Sequence, residues 1–316
     1  MKKIGIISWQ KDSQYAFSLA STLTGDLIKI PVKKRIDYLL NFVKTLIIIS
    51  KKKYNFLILE IPPIYLSYLI FFYKRPTMVV SHSNIFLLNH WWHHLQRNIL
   101  KYLLRKTKGL IIHNDKLLEL IKNYPTKKLV IEPPPRKLEK SNFFKKENRD
   151  FPKVLVSLSF SEDEPINELI DCCKELTNIN FYLTGDYLKF SNYWKFKEIR
   201  NIIFTGYLKK EEYEKLLSSV DFVIGLTTRD YTVLQSGYDA LGAEKPFLTS
   251  DKEVLREYFS KGTVFVKNHK EDIKRGINEI LKRYEILKLE VKELKKIKIK
   301  QWEENTKTLR KIIDDC

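Results

Sequence analysis

Small polar side chains follow three of the apolar runs in this sequence, and they are the residues whose types and spacing could do chemistry. They are Ser81–Asn84, Gly185 with Asp186, and Thr227–Thr232. If each apolar run is a strand of a parallel sheet, these loops lie at the carboxyl ends of the strands, where such sheets bind ligands. The pattern therefore predicts binding sites at these loops.

The loop 227–232 leads into a predicted helix over 232–243 that carries Asp239. A helix N-terminus offers unpaired N–H groups and a positive dipole, which suit a diphosphate. A carboxylate about two turns into such a helix can accept both hydroxyls of a ribose. Simpler alternatives stay open: Asp239 as a surface carboxylate, Arg229 and Asp230 paired with each other, Gly185 in a plain turn, and His82 as a local cap.

Short apolar runs alternate with amphipathic stretches along the whole chain, which is typical of βα units and parallel sheets. Twelve runs are predicted as strands, six before the proline cluster at 133–135 and six after it. The predicted fold class is α/β with two doubly wound domains. We expect a first domain over 1–135, a linker over 136–152, a second domain over 153–290, and a C-terminal helix over 291–316 that crosses back to the first domain through Trp302.

The net charge of +19 on 316 residues is unevenly distributed. Residues 1–150 hold 28 Lys and Arg against 10 Asp and Glu, whereas residues 151–316 hold 29 against 28. A basic first half indicates an anionic partner that this half alone contacts: nucleic acid, an anionic membrane, or a phosphorylated acceptor.

Composition excludes several classes of protein. With 44% hydrophobic residues the chain can bury a large core, which excludes intrinsic disorder. Three cysteines at 172, 173 and 316 cannot form a disulfide framework or a spaced zinc site, so a reducing, cytoplasmic compartment is expected. The first residues lack the pattern of a secretory signal.

Two apolar segments raise the question of a membrane. Residues 56–73 carry Glu60 and Pro62–Pro63, which favours a strand followed by a helix over a membrane span. Residues 36–50 are too short to span a bilayer, but basic triplets at 33–35 and 51–53 flank them. Two interpretations of the segment 33–53 stay open: a core helix with basic ends, or a helix that lies on an anionic membrane, at the inner face of the plasma membrane.

Seven segments follow one another in an order typical of one enzyme family: 78–82, 111–114, 128–135, 206–221, 227–232, 238–241 and 245–247. This order resembles retaining glycosyltransferases of the GT-B type, in the group 1 or family 4 lineage, and covers nearly the whole chain. The resemblance implies two Rossmann-like domains facing a central cleft. It also implies transfer of a sugar from a nucleotide diphosphate sugar to a hydroxyl, with retention and with no metal or other cofactor.

The resemblance assigns roles to individual residues. His82 and Asp230 are the catalytic candidates, and His82 faces the donor sugar. Tyr231 replaces the first acid of the family's E-x7-E element, and the loop 159–164 is acidic where the family is basic. Arg229, backed by Arg256, is therefore the expected partner of the diphosphate. The donor-binding candidates are Gly185, Asp186, Tyr207, Arg229, Tyr231, Thr232 and Asp239. The acceptor-binding candidates are Trp9, Gln10, Ser81, Asn84 and Trp91.

The sequence thus predicts a glycosyltransferase whose acceptor is a glycan or a polyprenyl-phosphate-linked glycan. A metal site at His90, His93 and His94 is disfavoured against a helix start beside the acceptor groove. Two alternatives remain. One is a nucleic-acid-binding protein that uses the basic half, although no known nucleic-acid motif occurs. The other is a GT-B relative that does not transfer sugar, such as a sugar-nucleotide epimerase.

Overall fold

The computed structural model describes residues 2–11, 13–32, 34, 36–82, 86, 91–138 and 151–316, with the backbone alone for 91–93. The contacts within it define two compact units. The first unit comprises Met1–Pro134 with Lys300–Cys316, and the second comprises Pro135–Ile299.

The first unit contains a six-stranded parallel sheet in the order β2-β1-β3-β4-β5-β6. Its strands are β1 (Ile4–Ser8), β2 (Asp26–Lys29), β3 (Phe56–Ile61), β4 (Thr77–Ser81), β5 (Gly109–Ile112) and β6 (Lys128–Val130). Its described helices are α1 (Gln14–Leu23), α2 (Asp37–Lys52), a 3-10 turn (Ile64–Tyr68), α3 (Leu69–Phe72), α4 (Trp91–Leu104) and α5 (Lys116–Ile121).

The second unit repeats this architecture in the order β12-β11-β10-β7-β8-β9, again all parallel. The strands are β7 (Lys153–Ser157), β8 (Asn180–Thr184), β9 (Ile202–Gly206), β10 (Phe222–Gly225), β11 (Phe247–Ser250) and β12 (Thr263–Val266). The helices are α6 (Ile166–Glu175), α7 (Lys210–Ser219), α8 (Gln235–Ala243), α9 (Glu253–Tyr258), α10 (Lys270–Lys282) and α11 (Tyr284–Asp314), with 3-10 turns at Tyr187–Lys189 and Tyr193–Lys195.

Every run that the sequence predicts as a strand forms one, so the expected α/β class with two doubly wound sheets is confirmed. The reason is burial on both faces. Strands β1, β3, β4 and β10 are buried at every residue, as expected for parallel strands covered by helices on both sides.

The helices agree less closely with expectation. The helix expected over 62–73 is a 3-10 turn followed by the four residues of α3. The helix expected over 270–290 ends at Lys282, because Arg283 leaves the helical conformation, and α11 begins at Tyr284. Helix α9 is only six residues long and has no counterpart in the prediction.

The last helix contributes to both cores. Leu287, Val291 and Leu294 are buried in the second unit, whereas Trp302, Leu309 and Ile313 are buried in the first. Trp302 donates its indole N–H to the Thr22 hydroxyl at 3.0 Å, and its ring meets the edge of Tyr15 at 5.7 Å. None of the described helices combines the length and apolarity needed to cross a bilayer.

Candidate functional site

Each sheet has one point at which the order of its strands reverses direction. The order reverses between β1 and β3 in the first unit and between β7 and β10 in the second. The loops after these neighbouring strands diverge to opposite faces and leave a crevice, which is where open α/β sheets bind ligands.

The reversal point of the second sheet holds an arginine and the acidic loop 159–164. Asp163 accepts from the Arg229 guanidinium at 3.0 Å and from the Thr227 hydroxyl at 3.0 Å. Glu164 folds back and accepts the backbone N–H of Ser159 at 2.9 Å. The carboxylates of Asp163 and Glu164 thus have partners in Arg229 and in the backbone of their own loop. The side chain of Arg229 is still 42% exposed.

A polar network fixes the loop that carries Arg229. The Thr227 N–H donates to the Ser250 hydroxyl at 2.8 Å, and that hydroxyl donates to the side-chain oxygen Oδ1 of Asn268 at 2.6 Å. The Asn268 amide in turn donates to the Thr227 carbonyl at 2.8 Å. Because Thr227 and Ser250 are buried, this closed ring of bonds holds the ends of β10, β11 and β12 in one rigid arrangement.

The catalytic candidate Asp230 lies beside this network on the surface. It forms a 2.7 Å ion pair with Lys252, and its side chain is exposed. The expected second arginine, Arg256, pairs with Asp251 at 2.5 Å. The Asp251 carboxylate raises the pKa of Arg256, so this arginine carries its charge next to a counter-ion.

Helix α8 begins at Gln235, three residues later than expected, so Tyr231 and Thr232 belong to the preceding loop. Both are half-buried. Within the described part of the chain the Thr232 hydroxyl is buried and has no hydrogen-bond partner. A buried hydroxyl of this kind can donate to a ligand that enters the loop.

Asp239 occupies a different environment from the one that the sequence suggests. It is 2% exposed, and both oxygens accept from the protein: from Arg136 at 3.1 Å, from Gln235 at 3.1 Å and from Tyr213 at 2.8 Å. The alternative of a surface carboxylate is therefore wrong. Ribose binding by Asp239 stays a prediction. It requires the exposed Gln235 to release its hydrogen bond to Asp239, so that a ribose hydroxyl can donate to the carboxylate instead.

Arg136 links Asp239 to a second buried acid. It also donates to Glu214 at 3.2 Å, and its side chain is almost fully buried although the sequence places it in the linker. Burial opposes its charge, but Asp239 and Glu214 outweigh burial and raise the pKa of the guanidinium. Burial together with Asp239 also raises the pKa of Tyr213 well above its ordinary value, so Tyr213 remains a neutral donor.

The remaining donor candidates lie at the ends of β8 and β9. Gly185 adopts φ +111, and a Cβ there would lie 2.1 Å from the Leu158 carbonyl oxygen, so only glycine fits between the two strand ends. Asp186 and Tyr207 are exposed beside it. These residues share the carboxyl edge of the second sheet with Arg229, as the sequence predicts for strand-end loops.

The acceptor candidates of the first unit are less exposed than expected. Trp9 is buried and donates its indole N–H to the Thr45 hydroxyl at 3.1 Å, so it joins β1 to α2 and presents no open surface. Ser81 is also buried. Gln10 is half-buried and donates to the Pro62 carbonyl at 3.2 Å. Asn84 and the side chain of Trp91 lie outside the described residues.

His82 contacts a carboxylate that the sequence analysis did not assign to the site. Its Nε2 lies 3.1 Å from Oε1 of Glu60, the penultimate residue of β3. Glu60 is 1% exposed, whereas the His82 side chain is 29% exposed. The ring of His113 lies 4.6 Å from that of His82. A carboxylate at the end of an otherwise apolar strand was the available signal for Glu60.

The histidine-rich start of α4 gives no sign of a metal centre in the described residues. His94 contacts Arg97 at 2.8 Å, and the side chains of His90 and His93 are not described. Across the described ranges no group of three or more His, Cys, Asp and Glu side chains is arranged to hold a metal ion.

Solved structures resemble this chain over its entire length. Sucrose-phosphate synthase from Thermosynechococcus elongatus matches with a TM-score of 0.77, 11% identity and 100% coverage of both chains. HepE from Anabaena, in complex with UDP and glucose, matches with a TM-score of 0.74, 11% identity, and coverage of 98% of this chain and 99% of that chain. A glycosyltransferase from Rickettsia africae ESF-5 matches with a TM-score of 0.72, 13% identity, and coverage of 99% of this chain and 98% of that chain.

The chain has the GT-B fold. Neither the protein-family models nor the curated proteins contain a match to the sequence. At 11 to 13% identity, the similarity to these structures establishes the fold of the backbone alone. The chemistry of the site depends on the side chains of this chain.

Proposed function

We propose that this protein is a glycosyltransferase that moves a sugar from a nucleotide diphosphate sugar to an acceptor hydroxyl. The observation that carries the proposal is Arg229 at the reversal point of the second sheet, in a chain whose GT-B fold matches glycosyltransferases over its full length. A cation on a rigid loop at this position suits the negative charge that develops on a departing diphosphate.

The donor lies on the second unit in this proposal. Arg229 leaves Asp163 to contact the diphosphate, and the Thr232 hydroxyl and the N-terminus of α8 add donors. Gly185, Asp186, Tyr207, Tyr231 and Asp239 provide the surrounding contacts. Transfer proceeds with retention and without a metal, as the sequence resemblance implies, and the anomeric configuration of the product, read by proton NMR, tests the stereochemistry.

Binding of the donor is tested by thermal shift on the full chain with UDP, GDP, ADP, UDP-glucose, UDP-N-acetylglucosamine, GDP-mannose and ADP-glucose. A ligand that binds only the folded state raises Tm, so at least one of these compounds should do so. Arg229→Ala should weaken that binding roughly tenfold to a hundredfold, because it removes a charge-assisted contact.

Arg283→Ala is the matched control. Arg283 is as exposed as Arg229 and is also ion-paired, with Glu279, but it follows α10 at the other end of the sheet. No Tm increase with any compound would contradict the proposal. Nanomolar binding to nucleic acid in a gel shift would support the nucleic-acid alternative, and conversion of the sugar without transfer would support the epimerase alternative.

We infer further that the acceptor is a lipid-linked glycan at an anionic membrane. Helix α2 buries only Asn41, Thr45 and Ile49, and Leu39 on its other side is 65% exposed. Phe72 packs against Phe42 of α2 at 5.6 Å. Phe71 stacks on Tyr102 of α4 at 6.1 Å. The exposed side chains form an apolar face: Leu39, Leu40, Val43, Ile47, Phe71, Phe72 and Tyr102.

The charges around the apolar face favour an anionic bilayer over a second copy of the chain. Lys44, Lys51, Lys53 and Lys74 are exposed within or just after the helices that carry the apolar face, and Lys106 lies over the rings of Phe71 and Tyr102. Two copies meeting there would bring like charges together, whereas anionic headgroups would neutralise them while the apolar side chains enter the membrane boundary.

Vesicle sedimentation tests the membrane contact. The full chain should bind phosphatidylglycerol vesicles at low salt and bind phosphatidylcholine vesicles much less. Leu39→Ser with Val43→Ser should lower the binding roughly tenfold or more, because it removes apolar area that the membrane would bury.

Phe17→Ser is the control for the vesicle experiment. Phe17 is equally exposed but lies on α1, which packs with Ile4 and Ile6, whereas α2 bonds to Trp9 on the opposite face of the sheet. Equal binding by the double variant and the wild type would exclude this face as the membrane contact, and so would concentration-dependent dimerisation through it.

A further inference from the structure

Glu60 lies at the reversal point of the first sheet. In the register of β1 and β3 it is opposite Ser8, where the strand order changes direction. Glu60 and Arg229 are thus both at a reversal point, Glu60 within β3 and Arg229 in the loop after β10. The carboxylate of Glu60 is buried, so its partners must account for the cost of placing a charge there.

Two side chains donate to the same oxygen of Glu60. The Ser13 hydroxyl lies 2.5 Å from Oε1, and His82 Nε2 lies 3.1 Å from it. Ser13 is itself fixed, because it caps α1 by accepting the Ala16 N–H. Burial raises the pKa of Glu60, but the bonds from His82 and Ser13 outweigh burial and lower it overall. Glu60 is therefore ionised at neutral pH.

The ionised carboxylate determines which nitrogen of His82 carries the proton. A carboxylate can only accept hydrogen bonds, so Nε2 must be the protonated nitrogen. In the neutral imidazole Nδ1 is then an acceptor with a lone pair. Nδ1 makes no hydrogen bond to any residue that the structure describes.

The other groups against the His82 ring do not compete with this arrangement. Burial, with His82 nearby, lowers the pKa of His113 well below its ordinary value, so His113 is neutral. Burial and Glu60 raise the pKa of Tyr15, whose ring lies 4.4 Å from that of His113, so Tyr15 is neutral too. Among the described residues Glu60 is thus the charge that orients His82.

We propose that Glu60 is a positioning residue of the transfer site, which holds His82 in the Nε2–H tautomer so that Nδ1 accepts a hydrogen bond from a substrate hydroxyl. This proposal rests on the proposed glycosyl transfer and adds a specific acceptor atom to it. The hydroxyl keeps its proton, and no bond other than the hydrogen bond forms at His82. With the proton on Nδ1 the imidazole could only donate there, so the hydroxyl would have to turn and accept, which changes the orientation of the sugar.

The tautomer is tested directly by nitrogen NMR on the full chain labelled in its six histidines. The His82 signals, identified by their loss in His82→Asn, should show an unprotonated Nδ1 and a protonated Nε2. In Glu60→Gln a group that can both donate and accept replaces a carboxylate that only accepts, so a fraction of the His82 side chains should carry the proton on Nδ1 instead. Ser13→Ala removes the other donor to Oε1 and should leave the tautomer unchanged.

Kinetics test whether the tautomer matters. With the nucleotide sugar from the panel above that releases nucleoside diphosphate fastest, Glu60→Gln should lower kcat roughly tenfold to a hundredfold and change KM little. His82→Asn keeps an acceptor oxygen near the Nδ1 position, so Glu60→Gln should have almost no further effect in that background. This non-additivity separates positioning from general destabilisation.

Each outcome has a defined meaning. A protonated Nδ1 in the wild type, or an unchanged tautomer in Glu60→Gln, overturns the proposal. Equal losses from Glu60→Gln in the wild-type and His82→Asn backgrounds also overturn it, because Glu60 would then act without His82. The expected tautomers without any release of nucleoside diphosphate would instead reject the proposed glycosyl transfer, and with it the role in transfer.

Discussion

The two units share one architecture and handle charge in opposite ways. In the second unit, buried charges cancel one another, with Arg136 between Asp239 and Glu214, and Arg229 pairs with Asp163 at the sheet edge. In the first unit a buried carboxylate meets a half-exposed histidine, and lysines surround an exposed apolar face. The shared sheet architecture does not determine where charged side chains lie. The two arrangements of charge agree instead with the different ligands proposed for the two units.

The strongest test of this contrast is removal of the buried arginine. Arg136→Met should lower the free energy of unfolding by about 3 to 5 kcal/mol, because Asp239 would remain buried without a counter-ion and Glu214 would depend on the more distant Lys210, 4.0 Å away. Urea unfolding followed by circular dichroism measures the change.

The control restores neutrality. Combining Arg136→Met with Asp239→Asn and Glu214→Gln removes the unpaired charges, so it should recover much of the lost stability. If Arg136→Met costs less than about 1 kcal/mol, the arginine behaves as a surface residue and the contrast between the units fails.

The next test addresses the close approach of two strand ends in the second sheet. Gly185→Ala should destabilise the protein by more than about 2 kcal/mol, because the methyl group would collide with the Leu158 carbonyl at an unfavourable φ. Thermal unfolding measures the loss.

Gly206→Ala serves as its control. Gly206 also has positive φ, at +73, but the nearest atom to its Cβ would lie 3.7 Å away on Tyr187. Gly206→Ala should therefore lower the free energy of unfolding by only about 1 kcal/mol, the cost of placing alanine at a positive φ. Equal losses in the two variants would show that the approach to Leu158 is not the limiting contact.

The smallest effect concerns acid sensitivity, which we expect in the first unit. His113 is neutral when folded and takes up a proton in the unfolded chain below its ordinary pKa of 6.5. The contribution of the neutral His113 to the free energy of unfolding is therefore complete above pH 6.5. Below that pH it declines by about 1.4 kcal/mol per pH unit. His113→Phe should remove this slope between pH 6 and pH 5 in urea titrations.

His269→Gln is the matched variant in the second unit. His269 is exposed and precedes α10, and its substitution leaves the buried His113 in place, so the slope between pH 6 and pH 5 should persist. The same slope in wild type and His113→Phe would indicate that the buried histidine does not become protonated on unfolding.

The sequence predicted the strands well because parallel strands leave a strong local signal. Runs such as 56–60 are apolar at nearly every residue, and turn residues bound them. Helix ends are weaker signals. Arg283 breaks a helix without glycine or proline, and α9 is too short to show helical periodicity.

The positions of the candidate site residues were predicted only where these residues directly follow a strand. Gly185 and Arg229 lie at the carboxyl edge as expected, since a loop after a strand has few other places to lie. The burial of Trp9 depends on Thr45, which is 36 residues away, and that of Asp239 depends on Arg136, which is 103 residues away. Pairings over such separations have no local signature, so the sequence could not reveal them.

Helix α11 has a consequence for the order in which the protein forms. Trp302, Leu309 and Ile313 complete the apolar interior around Ile4, Ile6 and Tyr15, residues at the opposite end of the chain. During synthesis the six strands of the first unit leave the ribosome before those of the second, but the interior of the first unit stays incomplete until the last part of α11 follows. The amino-terminal half is thus translated first and reaches its finished packing last.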